Sequence, residues 1–216
     1  ASTEVATHMV ESLGDAGQVV VIAHDSKSLT SQERVNNFIA EIQNNHPNMS
    51  VAGPYYMDQI DDIKKTIAEQ QLDIVPVEGQ ELDEEQQTAL DDAIAQITDE
   101  DIYNYILEMN PDVKGIFATN GDTTMQALTA CEGKDMKDVV IMGYDADQEE
   151  IDAMKDGRIA GMIVQNPYGM GYATVVAEAR CVLNMGNEAN VNTGYTWVTP
   201  DNIEDRTVQD ILYAEK

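Results

Sequence analysis

Val19-Val20-Val21-Ile22-Ala23 is a continuous β-branched apolar run, set between the turn Asp15-Ala16-Gly17 and the polar triplet His24-Asp25-Ser26. A run of this length, apolar at every position and bounded by turn residues, reads as a strand covered on both faces. On its amino side, residues 3–14 carry a helical spacing (Val5, Met9, Val10, Leu13) that stops at Gly14. On its carboxyl side the alternation repeats: helix 31–45, strand 49–55, helix 60–70, then helix 99–109, strand 115–119, helix 122–132, strand 139–144, helix 147–156 and strand 159–164. Strands separated by helices of this length predict βαβ units, hence an α/β fold with a doubly wound parallel sheet and helices on both faces, a Rossmann-like three-layer sandwich.

Two segments interrupt the rhythm. Residues 71–98 are acidic and Gln-rich, with one helical spacing at Leu90, Ile94 and Ile97, and read as a solvated insertion lying outside the core. From Tyr168 to Met185 the sequence is apolar on nearly every side of a helix (Met170, Tyr172, Val175, Val176, Ala179, Val182, Leu183), a pattern that calls for burial on more than one face. Gly186 ends it, and Tyr195-Thr196-Trp197-Val198-Thr199 reads as a further strand.

The chain has 216 residues, 43% hydrophobic and 24% charged, which suits a packed globular core. Its Asp plus Glu number 40 against 12 Lys plus Arg, a net charge of -28. Nucleic acid is excluded as a partner, because phosphate neutralisation needs clustered cations and Arg34, Arg158, Arg180 and Arg206 are dispersed. Its apolar runs fall far short of the roughly 18 residues or more of a membrane helix. Cys131 and Cys181 both fall in apolar helical patterns, where free buried cysteines usually sit, and spacing alone leaves a disulfide between them open.

Signatures of catalysis are scarce. There is no nucleophile elbow and no P-loop, His8, His24 and His46 lack metal-ligand spacing, and Gly169-Met170-Gly171 lacks the third glycine of a dinucleotide fingerprint. Asp145-Ala146-Asp147-Gln148-Glu149 begins like a calcium loop but has neither the glycine at its sixth position nor the glutamate at its twelfth. The expectation is a protein that is not an enzyme, with no cofactor and no metal.

In an open parallel sheet, ligands bind beyond the carboxyl ends of the strands. The polar residues placed there are Arg34, one turn into the helix after the first strand, Asn120, Tyr144 with Asp145, and Gln165. Together they offer donors and acceptors of both kinds beside an aromatic ring, the chemistry that fixes the hydroxyls of a sugar or polyol. Plainer roles also suit them: Asn120 and Asp145 as turn or cap residues, Arg34 as a surface partner of Glu33 or Glu41.

The run 31–38 (SQERVNNF), the segment 110–120 (NPDVKGIFATN), Met142-Gly143-Tyr144-Asp145, Asp156-Gly157 and 163–171 (IVQNPYGMG) together resemble, in order, the type 1 periplasmic sugar-binding proteins. These are the ribose-binding-like solute receptors of ABC importers, related in fold to the effector domains of LacI-type repressors. The resemblance implies ligand contacts from Arg34, Asn120, Tyr144, Asp145 and Gln165, and a further aromatic position at Tyr55, Tyr56 or Met57. The family's usual glycine before Phe38 is Asn37 here, a change tolerated inside a helix. The resemblance also implies that the chain starts where the family enters its second lobe. Residues 1–165 are then the second lobe, and 166–216 a returning helix and strand that complete the first lobe and cross back. A helix that normally packs on an absent first-lobe sheet is expected either to fold back onto its own lobe or to pair with its copy in a homodimer. By this reading the protein captures a sugar for an ABC permease and works as an extracellular or cell-surface lipoprotein, periplasmic in a Gram-negative cell. The alternatives are the effector-sensing domain of a LacI-type regulator, which would carry a basic helix-turn-helix ahead of Ala1, and the sensor domain of a membrane signalling receptor.

Overall fold

A computed structural model describes residues 1–75, 82–188 and 190–212. The first strand, β1 (Gly17–Ala23), is buried from Val19 onward. Its side chains alternate between two separate cores: Val20 and Ile22 pack on one face of the sheet, Val19, Val21 and Ala23 on the other. The same division runs through β3 (Val113–Ala118), with Ile116 and Phe117 on opposite faces, β4 (Val140–Tyr144), with Ile141 and Met142, and β5 (Gly161–Gln165), with Met162 and Ile163. An uninterrupted apolar run is therefore what a strand with two covered faces requires.

Together with β2 (Met49–Tyr56) and β6 (Tyr195–Val198) these strands form one six-stranded sheet in the order β2-β1-β3-β4-β5-β6. All neighbours are parallel except β6, which runs antiparallel to β5. Helices α1 (Ser2–Leu13) and α2 (Leu29–Asn45) cover one face through Val5, Met9, Val35, Phe38 and Ile42. The other face is covered by α3 (Asp61–Gln71), α5 (Asp99–Met109), α6 (Gly121–Gly133) and α7 (Gln148–Lys155). This is the three-layer, doubly wound α/β architecture expected from the sequence. Because β2 lies on one side of β1 and β3 on the other, the winding reverses between β1 and β3, which opens a crevice at their carboxyl ends.

Three expectations need correction. The segment 71–98 is not wholly outside the core. Helix α4 (Glu84–Gln96), started by an Asp83/Gln86 capping box, is mostly exposed, but Leu90 and Ile97 are buried, and Ile97 packs in the same core as Ile67. Its three-residue-to-four-residue apolar spacing was enough to anchor an otherwise polar helix. Part of that segment, 76–81, lies outside the described residues.

The second correction removes one of the two outcomes expected for α8 (Pro167–Val182), folding back onto its own lobe, since none of its residues is buried. Val175 is 65% exposed, Val182 81% and the following Leu183 67%, so the helix does not fold back onto this sheet. Apolar composition on all sides reports what a helix needs, not that its own chain supplies the cover. The third follows from it: Cys131 is buried, whereas Cys181 on α8 is exposed, and both are free thiols. Among the described residues no helix is long and apolar enough to cross a membrane.

Candidate functional site

The crevice is built from loops that leave β1, β3, β4 and β5 at their carboxyl ends. Ser28 caps α2 by accepting a hydrogen bond from the Ser31 N–H, which sets the helix start and places Arg34 over the sheet edge. The Arg34 guanidinium stacks on the Tyr144 ring, 3.9 Å from its centroid, and Nη1 donates to the carbonyl of Thr119. Tyr144, the last residue of β4, is 2% exposed, and its hydroxyl meets Ser2 Oγ at 2.8 Å. Burial raises the pKa of the Tyr144 phenol, so the ring stays neutral as a platform for the cation. Tyr144 therefore carries Arg34 on its ring.

Thr119 links Arg34 to two further groups. Its Oγ1 accepts from the His24 backbone N–H at 3.1 Å and meets His24 Nδ1 at 2.9 Å, while His24 Nε2 lies 3.0 Å from Asp25 Oδ2. Hydrogen bonds from Ser28, first its N–H, then its hydroxyl, hold the Asp25 carboxyl below the usual carboxylate range. Asn120 follows Thr119 and caps α6, its Oδ1 accepting from the Thr123 N–H at 3.1 Å and hydroxyl at 2.6 Å. Asn120 therefore does fill the cap role, and it also lines a hollow of about 330 Å³ with His24, Met57, Tyr103 and Gln126.

Asp145 sits just beyond β4 with a left-handed φ of 76°, a conformation an aspartate adopts more readily than most residues. Its Oδ2 accepts from the Gly121 N–H, the first residue of α6, at 3.1 Å, and its Oδ1 accepts from Gln165 Nε2 at 3.2 Å. Gln165 ends β5 and, with Arg34 and Tyr144, lines a second hollow of about 290 Å³. Arg34 is the one arginine or lysine among the described residues lining either hollow.

All five residues singled out in the sequence thus stand on one edge of the sheet, joined through Thr119 and Gly121, although Asn120 and Arg34 open onto neighbouring hollows. Of the three candidates at the end of β2, Met57 lines the Asn120 hollow. Tyr55 is occupied instead, its hydroxyl accepting from Asn110 Nδ2 at 3.0 Å, and Tyr56 packs on the α1–α2 core. Sequence reasoning passed over His24 and Thr119 as site residues, though both follow strands of the crevice. It also gave no sign of Glu150, which is fully buried beneath Gly121. A further hollow, about 450 Å³, lies on the opposite edge, where β4 and β5 begin. There the Arg158 guanidinium is already paired with Glu132 and Asp156 and the rest of the lining is largely apolar, so no set of donors and acceptors converges on it.

Comparison with known proteins gives four findings. The ribose import binding protein of Salmonella typhimurium is 35% identical over 66 residues, a segment that is 31% of this chain and 22% of that protein. A solute-binding protein of an ABC transporter from Agrobacterium vitis, solved with bound D-fucose, superposes with a TM-score of 0.74 at 22% identity, over 98% of this chain and 61% of that one. A carbohydrate transporter solute-binding protein from Agrobacterium radiobacter, solved with D-arabinose, gives 0.71 at 23% identity, over 98% and 61% of the two chains. This chain thus spans about three fifths of the length of these solved structures. The profile of the periplasmic binding protein domain matches residues 1–181, and the chain belongs to the periplasmic binding proteins, a family of binding proteins and not of enzymes, whose type 1 sugar-binding members its motifs resemble.

Proposed function

We propose that this chain supplies one side of a sugar-binding site in an extracellular solute receptor that delivers its ligand to an ABC permease. The observation that carries the reading is the placement of Asp145, fixed at the end of β4 by the Gly121 N–H and the Gln165 amide and set beside Asn120 and Arg34. A carboxylate held this way accepts hydrogen bonds from sugar hydroxyls, while Arg34, Asn120 and Gln165 donate to ring and hydroxyl oxygens. Arg34 is engaged by Tyr144 and the Thr119 carbonyl, its hollow also holds Glu33, and the chain carries a net charge of -28, so the favoured ligand is an uncharged sugar or polyol. Proteins with ribose, fucose and arabinose in their names or complexes are its relatives in sequence or fold, which supports the same ligand class here.

In this reading residues 1–165 act as the second lobe and 166–216 as the returning helix and strand, β6 rejoining the sheet against β5. The working receptor closes two lobes on the sugar, and the permease recognises the closed form. Such a protein works outside the cytoplasmic membrane, as a cell-surface lipoprotein or in a periplasm. Taken alone, the chain leaves α8 bare, and a second copy paired through the same helix in a two-fold dimer is the cover it would find in solution. Calorimetric titration with D-ribose, D-arabinose, D-fucose and D-galacturonate tests the ligand class. At least one neutral sugar should bind, with a Kd on the order of millimolar because one lobe cannot enclose the ligand. Binding of the acid alone, or of none of the four, would count against the reading.

A further inference from the structure

Glu150 lies in the first turn of α7, directly below the site, and its side chain is completely buried. One oxygen, Oε2, accepts from the Asp147 N–H at 3.0 Å. The other, Oε1, is buried with no hydrogen-bond partner. The carboxyl is pressed against Gly121: a Cβ at that position would lie 2.8 Å from Oε1 and 3.2 Å from both Cδ and Oε2. Gly121 is the residue whose N–H holds Asp145. Glu150 and Asp145 therefore grip the start of α6 from two sides, Glu150 by contact and Asp145 by a hydrogen bond.

The charged groups that bear on Glu150 are Asp145 and Asp147, from the turn between β4 and α7, and both are acidic. From α6 the facing residue is Gly121, while Asp122 lines the hollow with His24 and Asn120. Two features favour the ionised carboxylate, the Asp147 N–H and the amino end of α7. They are outweighed. Burial first, then the two aspartates, push the carboxyl up to about 8, so it carries a proton at neutral pH.

We propose that Glu150 is a positioning residue for the sugar site: its neutral carboxyl lets Asp145 keep Gly121 and Gln165, and its ionisation drives Asp145 out of place, so that sugar affinity falls on the alkaline side. The inference rests on the sugar-binding reading for its consequence, but the coupling of Glu150 to Asp145 has a readout without sugar. Carbon-detected NMR of the whole chain follows Glu150 Cδ and Asp145 Cγ from pH 6 to 9.5, and D-ribose, D-arabinose and D-fucose are then each titrated at pH 6.5 and pH 9.

In the wild type, Asp145 Cγ should move with Glu150, with a midpoint near 8. In Glu150→Gln, which keeps the volume and cannot ionise, it should stay flat. The Kd of the best-bound sugar should rise on the order of tenfold between the two pH values in the wild type, a coupling of ordinary allosteric size, and stay within about twofold in the variant. A flat Asp145 in the wild type, or the same profile in Glu150→Gln, overturns the proposal. If Glu150→Gln does not fold, Asp145→Asn serves instead: loss of the like charge should lower the Glu150 midpoint, and an unchanged midpoint overturns the proposal. Coupled titration in the wild type, absent from Glu150→Gln, with none of D-ribose, D-arabinose and D-fucose bound at either pH would support the positioning role and overturn the sugar reading.

Discussion

Replacing Glu150 with glutamine should make the protein more resistant to alkaline pH, by an amount the structure sets. The Glu150 carboxyl is fully buried, and its value is raised from 4.5 to about 8, with burial as the main cause. In the unfolded chain the group loses its proton near 4.5, while in the native state it keeps it to about 8. Between those values the native state holds one more proton than the unfolded state, so stability falls as pH rises, by about 1.4 kcal/mol per pH unit. Below the lower value the group exerts no penalty, and above the upper one the loss levels off. Over the whole interval it amounts to roughly 5 kcal/mol at most, and local opening of the first turn of α7 sets a ceiling beneath that. Domain stabilities run to about 5–15 kcal/mol, so a loss of this size is easily resolved. Urea unfolding at pH 5, 6.5, 8 and 9 measures it, followed by the fluorescence of Trp197, which stacks on His8 with ring centroids 4.5 Å apart. Other carboxylates titrate in both proteins, so the difference between Glu150→Gln and wild type isolates this one group. That difference should grow with pH up to about 8 and then stay level. A difference constant across the series would refute the assignment of a neutral buried glutamate.

Three further outcomes are expected. Gly143→Ala should cost about 1–3 kcal/mol in the same unfolding assay, because a Cβ there would lie 2.1 Å from Thr124 Oγ1 in a fully buried contact between β4 and α6; unchanged stability would show that this approach is looser than the structure has it. A thiol reagent at pH 8 should label one cysteine in the native protein and two in denaturant, since Cys181 is exposed while the Cys131 thiol is buried and pushed up to about 11; native labelling that survives Cys181→Ala would contradict this. Sedimentation at tens of micromolar should show a dimer that Val175→Glu with Val182→Glu dissociates, and a wild-type monomer would remove α8 pairing from the account.

The sheet was legible because its strands announce themselves. Val19 to Ala23 is apolar at consecutive positions, and only a strand with both faces covered uses such a run, which is how the two cores divide it. The edge that carries the site was legible for a topological reason: strand ends in a parallel sheet share one side, so Arg34, Asn120, Asp145 and Gln165 had to meet there. What each does on that edge was less visible. Tyr144 reads as an aromatic for the ligand; that its ring also carries Arg34 while lining the same hollow depends on which face of β4 it leaves. Glu150 reads as one acid among 40 Asp and Glu, and only the packing of α7 on Gly121 shows that it is buried. Leu90 and Ile97 were hidden in the same way by the acidic residues around them. In α8 apolarity on every side states a demand for cover that the sheet of this chain does not meet.

Ligand capture by Asp145 is decided by calorimetric titration of one sugar into wild type and Asp145→Ala. The sugar is whichever of D-ribose, D-arabinose and D-fucose the wild type binds best, and the variant's native circular dichroism spectrum is checked first. Losing a hydrogen bond to a charged group costs about 1.5–3 kcal/mol, so affinity should fall roughly tenfold to a hundredfold. Equal affinity in a folded Asp145→Ala protein would contradict the account, because a carboxylate held by Gly121 and Gln165 at the end of β4 would then contribute nothing to the capture of sugar.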